Sequence, residues 1–199
     1  MRPARFKDVD IIEAALAVAA REGPAGASIA KIAAQADAPT GSIYHRFRSR
    51  DVLLGEVWLK AVTDFQNAYI KLLDGSDVER AALDAALFVP RYVRENTAEA
   101  RLMLLHRRED FLVPGWPVKM LEQAEMLGRQ MQAAQQHFCR KLTGRDDRKT
   151  MRILCYAMVE APMGAVRPYL EKGGTPPPLV DSLVEATFHA AMALTGGDA

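Results

Sequence analysis

The stretch "PTGSIYHRFRSRD", residues 39 to 51, decides how the rest of this chain is read. From Pro39 to Phe47 there is room for barely two helical turns, and isolated helices that short are marginal in water. Neighbouring segments must therefore hold it. Ile43 and Phe47 are four residues apart and share one face, which gives it something to dock with. The other side chains are small, hydroxylic or basic: Thr40, Gly41, Ser42, Tyr44, His45 and Arg46, then Arg48 and Arg50 before Asp51. A solvated helix face usually mixes both signs of charge. Residues 38–50 contain no acid at all.

Working outward, Ser28 is placed to cap a second helix, "IAKIAAQA", with Ile29, Ile32, Ala33 and Ala36 on one side. Asp37-Ala38-Pro39 breaks it, and Thr40 is placed to cap the third helix. Ahead of both, Val9, Ile12, Leu16 and Ala19 recur at helical steps from Asp8 to about Glu22, where Gly23-Pro24 predicts a stop. Two short helices joined by a tight turn and braced by a third have the spacing of a helix-turn-helix, whose second member enters the DNA major groove. The side chains suit that task. Ser28, Thr40 and Ser42 are short donors near helix N-termini, and Gly41 leaves room where backbone and DNA would approach. Tyr44 and His45 can donate to phosphate oxygens; Arg46, Arg48 and Arg50 supply the charge that dominates affinity.

Taken together, "IIEAALAVAAREG…SIAKIAAQADAPTGSIYHRFRSRDVLL" resembles the N-terminal domain of the tetracycline-repressor (TetR) family of bacterial transcriptional regulators. The likeness covers about residues 8 to 54 and is most specific in "GSIYHRFRSRDVLL". Two positions depart from the family pattern: Arg50 replaces the usual Lys, and Asp37-Ala38 replaces the usual Gly-Val. The resemblance implies a homodimer on a roughly palindromic double-stranded operator, with half-site centres about 34–36 Å apart or a multiple of that. It also implies a helical C-terminal domain that binds a small effector and thereby alters the spacing of the reading helices. The domains expected are 1–50 for DNA and 51–199 for effector binding and dimerisation.

Beyond residue 50 the apolar rhythm stays helical, and no segment alternates like a half-buried strand. The fold is expected to be all-α, with about nine helices. A long helix should run from about residue 50 to Leu73. Others are expected over about 77–95, with Pro90 forcing a kink or break, and over 97–109, 117–142, 146–170 with a kink at Pro162, and 178–195. Trp58, Phe65, Tyr69, Phe88, Tyr92, Met103, His106, Trp116, Met120 and Met126 form the candidate effector set, since aromatics and Met with a few polar groups typify interhelical ligand cavities. Plain core packing is the competing reading for each. The last two helices offer a dimer face: Leu154, Met158, Ala161, Ala165 and Tyr169, then Leu183, Ala186, Ala190 and Leu194.

Composition narrows the classes. The chain has 199 residues, 49% hydrophobic and 26% charged, with net charge +1, the balance of a soluble globular protein. No run of about 18 apolar residues occurs, so the cytoplasm is expected and a membrane partner is not. His45, His106, His137 and His189 are scattered, Cys139 and Cys155 make no metal spacing, and no GxSxG, P-loop or GxGxxG occurs. Neither catalysis nor a cofactor is expected, and both cysteines read as buried small hydrophobes. Arg2, Arg5 and Lys7 suggest an N-terminal arm that reaches DNA. A helical adaptor with no DNA role is the rival, disfavoured by the acid-free segment. Nothing in the sequence separates a repressor from an activator, or from a regulator without a ligand.

Overall fold

The computed structural model describes residues 7–111 and 113–196, and every regular element among them is helical. In chain order these are α1 (Asp8–Gly26), α2 (Ile29–Gln35), α3 (Thr40–Arg46), α4 (Arg50–Leu73), α5 (Val78–Glu95), α6 (Thr97–Leu105), α7 (Val118–Thr143), α8 (Arg148–Cys155), α9 (Ala161–Glu171) and α10 (Leu179–Met192). Arg2 and Arg5 lie outside the described residues. The Lys7 backbone N–H donates to Asp10 Oδ2 at 2.9 Å.

Several starts follow the capping residues. Ser28 Oγ accepts the Lys31 N–H at 3.3 Å, Ser49 Oγ the Val52 N–H at 3.1 Å, and Asp77 Oδ1 the Arg80 N–H at 3.0 Å. Thr40 departs from expectation: Pro39 takes the cap position of α3, and its carbonyl accepts the Ser42 N–H at 2.9 Å. Helix α1 breaks where Gly23-Pro24 predicts a stop. Gly23 leaves helical geometry at φ +76°, and one more turn then leads to Gly26.

The segment expected over 97–109 is shorter, because the Arg107 N–H donates to Asp110 Oδ2 at 2.8 Å and starts a separate 3₁₀ turn, Arg108–Asp110. Helix α5 passes through Pro90 without a break. Pro162 acts differently. Its ring would crowd the carbonyl four residues back, at Met158, and the turn there, Tyr156–Glu160, is widened to a π-helix. Helix α8, this π turn and α9 thus follow one another without a gap.

The chain packs as two compact units, Met1–Thr63 with Ala98–Glu125, and Asp64–Thr97 with Met126–Ala199. This differs from a division at residue 50, because α6 and the front of α7 return to the N-terminal helices. Arg101 Nε donates to the Ala20 carbonyl at 2.8 Å, and the first unit buries Ile11, Val18, Ile32, Ile43 and Leu53 completely. In the second, α5 packs on α9 and α10, and its Ala82, Ala85, Ala86 and Val89 are buried. Arg94 Nη2 ties α5 to α10 through both Asp181 carboxylate oxygens, at 2.9 and 2.8 Å.

Candidate functional site

Helix α2 ends in a way that explains one unusual pair of residues. The Asp37 N–H donates to the Ala34 carbonyl at 3.3 Å and the Ala38 N–H to the Ala33 carbonyl at 3.0 Å, the paired bonds of a Schellman cap. Such a cap needs a left-handed residue. Asp37 supplies it at φ +49°, a conformation Asp tolerates better than most side chains. The turn between α2 and α3 is therefore made without glycine.

Helix α3 leaves that turn with its two faces sharply divided. Ile43 and Phe47 are buried, whereas Thr40, Gly41, Tyr44, His45 and Arg48 are exposed and Ser42 is half-buried. A Cβ added at Gly41 would meet nothing within 4 Å, so internal packing does not require glycine there. Ser28, the cap of α2, is exposed as well.

Two of the arginines are committed inward. Arg46 Nε donates to Asp8 Oδ1 at 2.7 Å, and its Nη1 to the Ser42 carbonyl at 3.2 Å. Arg50 Nε donates to the Ala27 carbonyl at 2.8 Å, Nη2 to the Pro24 carbonyl and Nη1 to Asp51 Oδ1 at 2.8 Å. One guanidinium thereby satisfies two carbonyls around the end of α1. A lysine at this position would bring a single ammonium on a flexible stem and no planar fork. Near Asp8, burial and then the Asp8 charge raise the Glu56 carboxyl above its ordinary value.

Residues 11–57 match the family model for bacterial regulatory proteins of the tetR family. Over those residues the chain is similar to the tetR-family DNA-binding domain. Solved structures carry the likeness along the whole chain. A TetR-like transcriptional regulator from Rhodococcus sp. RHA1 superposes with a TM-score of 0.72 at 15% identity, covering 97% of this chain and 99% of that one. The fatty acid degradation regulator FadR from Bacillus halodurans gives 0.68 at 17% identity, covering 97% and 100%. FadR from Bacillus subtilis, in complex with stearoyl-CoA, gives 0.67 at 14% identity, covering 93% and 97%. At such identities the likeness is one of fold. A search of curated proteins finds no match. Among the described residues no helix is long and apolar enough to cross a membrane, and no group of three or more His, Cys, Asp or Glu could hold a metal ion.

In this fold the ten effector candidates fall in separate places. In the first unit, Trp58 stacks on Phe111 with ring centroids 6.4 Å apart and lies 6.5 Å from Trp116. Trp116 and Met120 cover Gly55 so closely that a Cβ there would sit 2.4 Å from the indole ring and 2.7 Å from the Met120 methyl. Gly55 is thus a seat for Trp116. His106 packs on Gly23 and Phe111; burial lowers its pKa, with Asp110 opposing and Arg101 reinforcing. Met103 is half-buried on α6.

In the second unit Phe65, Tyr69, Phe88 and Tyr92 form one aromatic cluster, with Phe65 edge-on to Tyr92 at 5.0 Å and tilted against Phe88 at 5.3 Å. Met126 is exposed. Beside Tyr69 lies a cavity of about 20 Å³ whose other walls are Leu73, Gln135, Phe138, Met151, Leu154, Cys155, Met158 and Val159. Leu154 and Met158, expected on a dimer face, are buried here within their own chain. Cys155 is only half-buried, unlike Cys139. Sequence reasoning missed most of these walls, because they come from helices far apart in the chain. A visible signal was Gln135, a polar residue three positions before buried Phe138.

The remaining dimer candidates divide in the same manner. Ala161, Ala165 and Tyr169 are half-buried, whereas Leu183, Ala186, Ala190 and Leu194 are exposed along one side of α10 and the turn after it. Ile153, Tyr156, Thr187, Ala190 and Leu194 line an open groove of about 470 Å³ between that side and α8.

Proposed function

We propose that this protein is a homodimeric repressor that binds a roughly palindromic operator and is released by a small molecule. One observation carries the DNA reading: α3 buries Ile43 and Phe47 and turns Thr40, Gly41, Tyr44, His45 and Arg48 to solvent without an intervening acid. Tyr44, His45 and Arg48 are the phosphate contacts, and Thr40 and Ser42 sit at the helix N-terminus, which favours anions. Arg46 and Arg50 act from behind, holding α3 and the start of α4 in place. Replacing Tyr44 and Arg48 together with Ala tests this. Binding to operator DNA selected by the purified protein should collapse and its salt dependence flatten, with the melting temperature unchanged. Unchanged affinity and salt slope would refute the assignment.

The second copy docks on the exposed side of α10. Leu183 is 54% and Leu194 62% exposed, Ala186 and Ala190 lie between them, and small residues permit close helix approach. A self-complementary contact of this kind matches the two-fold symmetry of a palindromic site. Leu183→Glu should yield a monomer in sedimentation and a large loss of operator affinity.

Effector release is a population shift. A ligand frees DNA only by binding more tightly to the conformer whose reading helices no longer fit the operator. Coupling of about 1–3 kcal/mol changes DNA affinity roughly 5- to 150-fold. The single helix α4 contributes Arg50 at one end and Phe65 and Tyr69 near the other, so it is the natural element to carry that shift.

A further inference from the structure

The effector reading leaves open what kind of molecule is bound, and the Tyr69 cavity narrows it. Tyr69 is 1% exposed, yet among the described residues its hydroxyl has no hydrogen-bond partner, and one turn earlier on α4 the buried Gln66 Oε1 has none either. Buried polar atoms in native proteins are almost always paired, so such orphans call for an explanation. The two lie close together on one helix. Tyr69 is also a wall of the cavity and interacts electrostatically with Cys155 on another of its walls.

The other walls set the chemistry. Leu73, Phe138, Met151 and Met158 are apolar, Gln135 is neutral, and no Lys, Arg, His, Asp or Glu among the described residues lines the space. Burial and then the Glu160 carboxylate keep the Cys155 thiol protonated by raising its pKa. An ionised ligand group would thus be buried without a counter-charge, at a cost that favours exclusion. A neutral hydroxyl could instead both donate and accept.

Size adds a constraint. A space of about 20 Å³ holds little more than one water, so a larger guest must push side chains aside. Met151 and Met158 are the flexible ones, and Met158 sits in the π turn, an irregularity that recurs at functional sites.

We infer that the effector of this protein is an uncharged, largely apolar molecule carrying a hydroxyl, the hydroxyl being read by Tyr69 and the apolar body by the methionine-lined wall. This rests on the effector reading above for its biological meaning, but the binding chemistry is testable by itself.

The probes are p-cresol, toluene, 4-methylbenzoate and stearoyl-CoA, titrated calorimetrically into the full-length protein and its Tyr69→Phe variant. Phenylalanine keeps the ring and removes only the unpaired hydroxyl, so the variant should fold with an equal or higher melting temperature. Wild type should bind p-cresol more tightly than toluene and neither charged probe measurably. Tyr69→Phe should weaken p-cresol roughly three- to tenfold and leave toluene unchanged. The inference is overturned if 4-methylbenzoate or stearoyl-CoA binds as well as p-cresol, if Tyr69→Phe leaves p-cresol affinity untouched, or if neither p-cresol nor toluene binds. Operator release is scored separately. Tyr69-dependent p-cresol binding that leaves DNA bound keeps the ligand chemistry and removes the regulatory reading.

Discussion

Helix α3 and the cavity beside Tyr69 solve opposite problems with similar residues. In α3 the apolar pair Ile43 and Phe47 is buried and the polar groups face solvent, where a partner carrying phosphates can meet them. At the cavity the Tyr69 hydroxyl is buried, and one turn away on α4 so is the Gln66 oxygen, neither with a partner among the described residues. The first arrangement is stable as it stands and suits a charged partner. The second costs stability and suits a neutral polar group that arrives with an apolar body, as inferred above.

The contrast predicts that damage to α3's anchor is felt most. Phe47→Ala removes a buried ring at the exit of α3 and should cost about 3–5 kcal/mol in urea unfolding, with operator binding lost as the helix undocks. The opposite result, stable DNA binding after Phe47→Ala, would mean that α3 does not depend on its buried face. Next comes the first unit's aromatic cluster, which is packed rather than hollow at Gly55. Gly55→Ala places a methyl where Trp116 lies, and about 1–3 kcal/mol of destabilisation is expected from overpacking. A neutral Gly55→Ala would show that Trp116 has room to move.

Arg50→Lys sharpens the distinction between a residue that contacts DNA and one that supports it. A lysine cannot reproduce the fork onto the Pro24 and Ala27 carbonyls, so thermal stability should fall by about 1 kcal/mol. The salt slope of DNA binding should stay as it was. A reduced slope with unchanged stability would reverse that assignment and return Arg50 to the phosphate contacts.

How much of this was legible in the sequence depends on separation along the chain. The face proposed to read DNA is built from residues 28 to 48, and helical spacing alone divides it into buried and exposed sides. Even there, spacing could not show that Arg46 turns to Asp8 or that Arg50 reaches back to α1, since both partners lie more than 20 positions away. The cavity draws on α4, α7, α8 and the π turn. An aromatic at helical spacing looks the same in a packed cluster, as with Trp58, and at a cavity wall, as with Tyr69. The exposed stripe of α10 was legible for the same reason as α3: one helix carries all of it.

The smallest effect concerns Glu56, on the unit proposed to read DNA yet carrying a strain like that at the cavity. Burial first, and the Asp8 charge second, raise its pKa, so the folded state binds the proton more tightly than the unfolded chain does. Below the ordinary carboxylate range both states are protonated and the group has no effect on stability. As pH rises through the unfolded and then the folded pKa, ionisation penalises the folded state alone, and stability falls. Glu56→Gln should therefore be more stable than wild type at pH 7, with the gain vanishing near pH 3. Asp8 is paired with Arg46, so the same substitution relieves Asp8 without freeing Arg46, and operator affinity should move little. A variant that is destabilised at neutral pH would show instead that the Glu56 carboxylate has a stabilising partner.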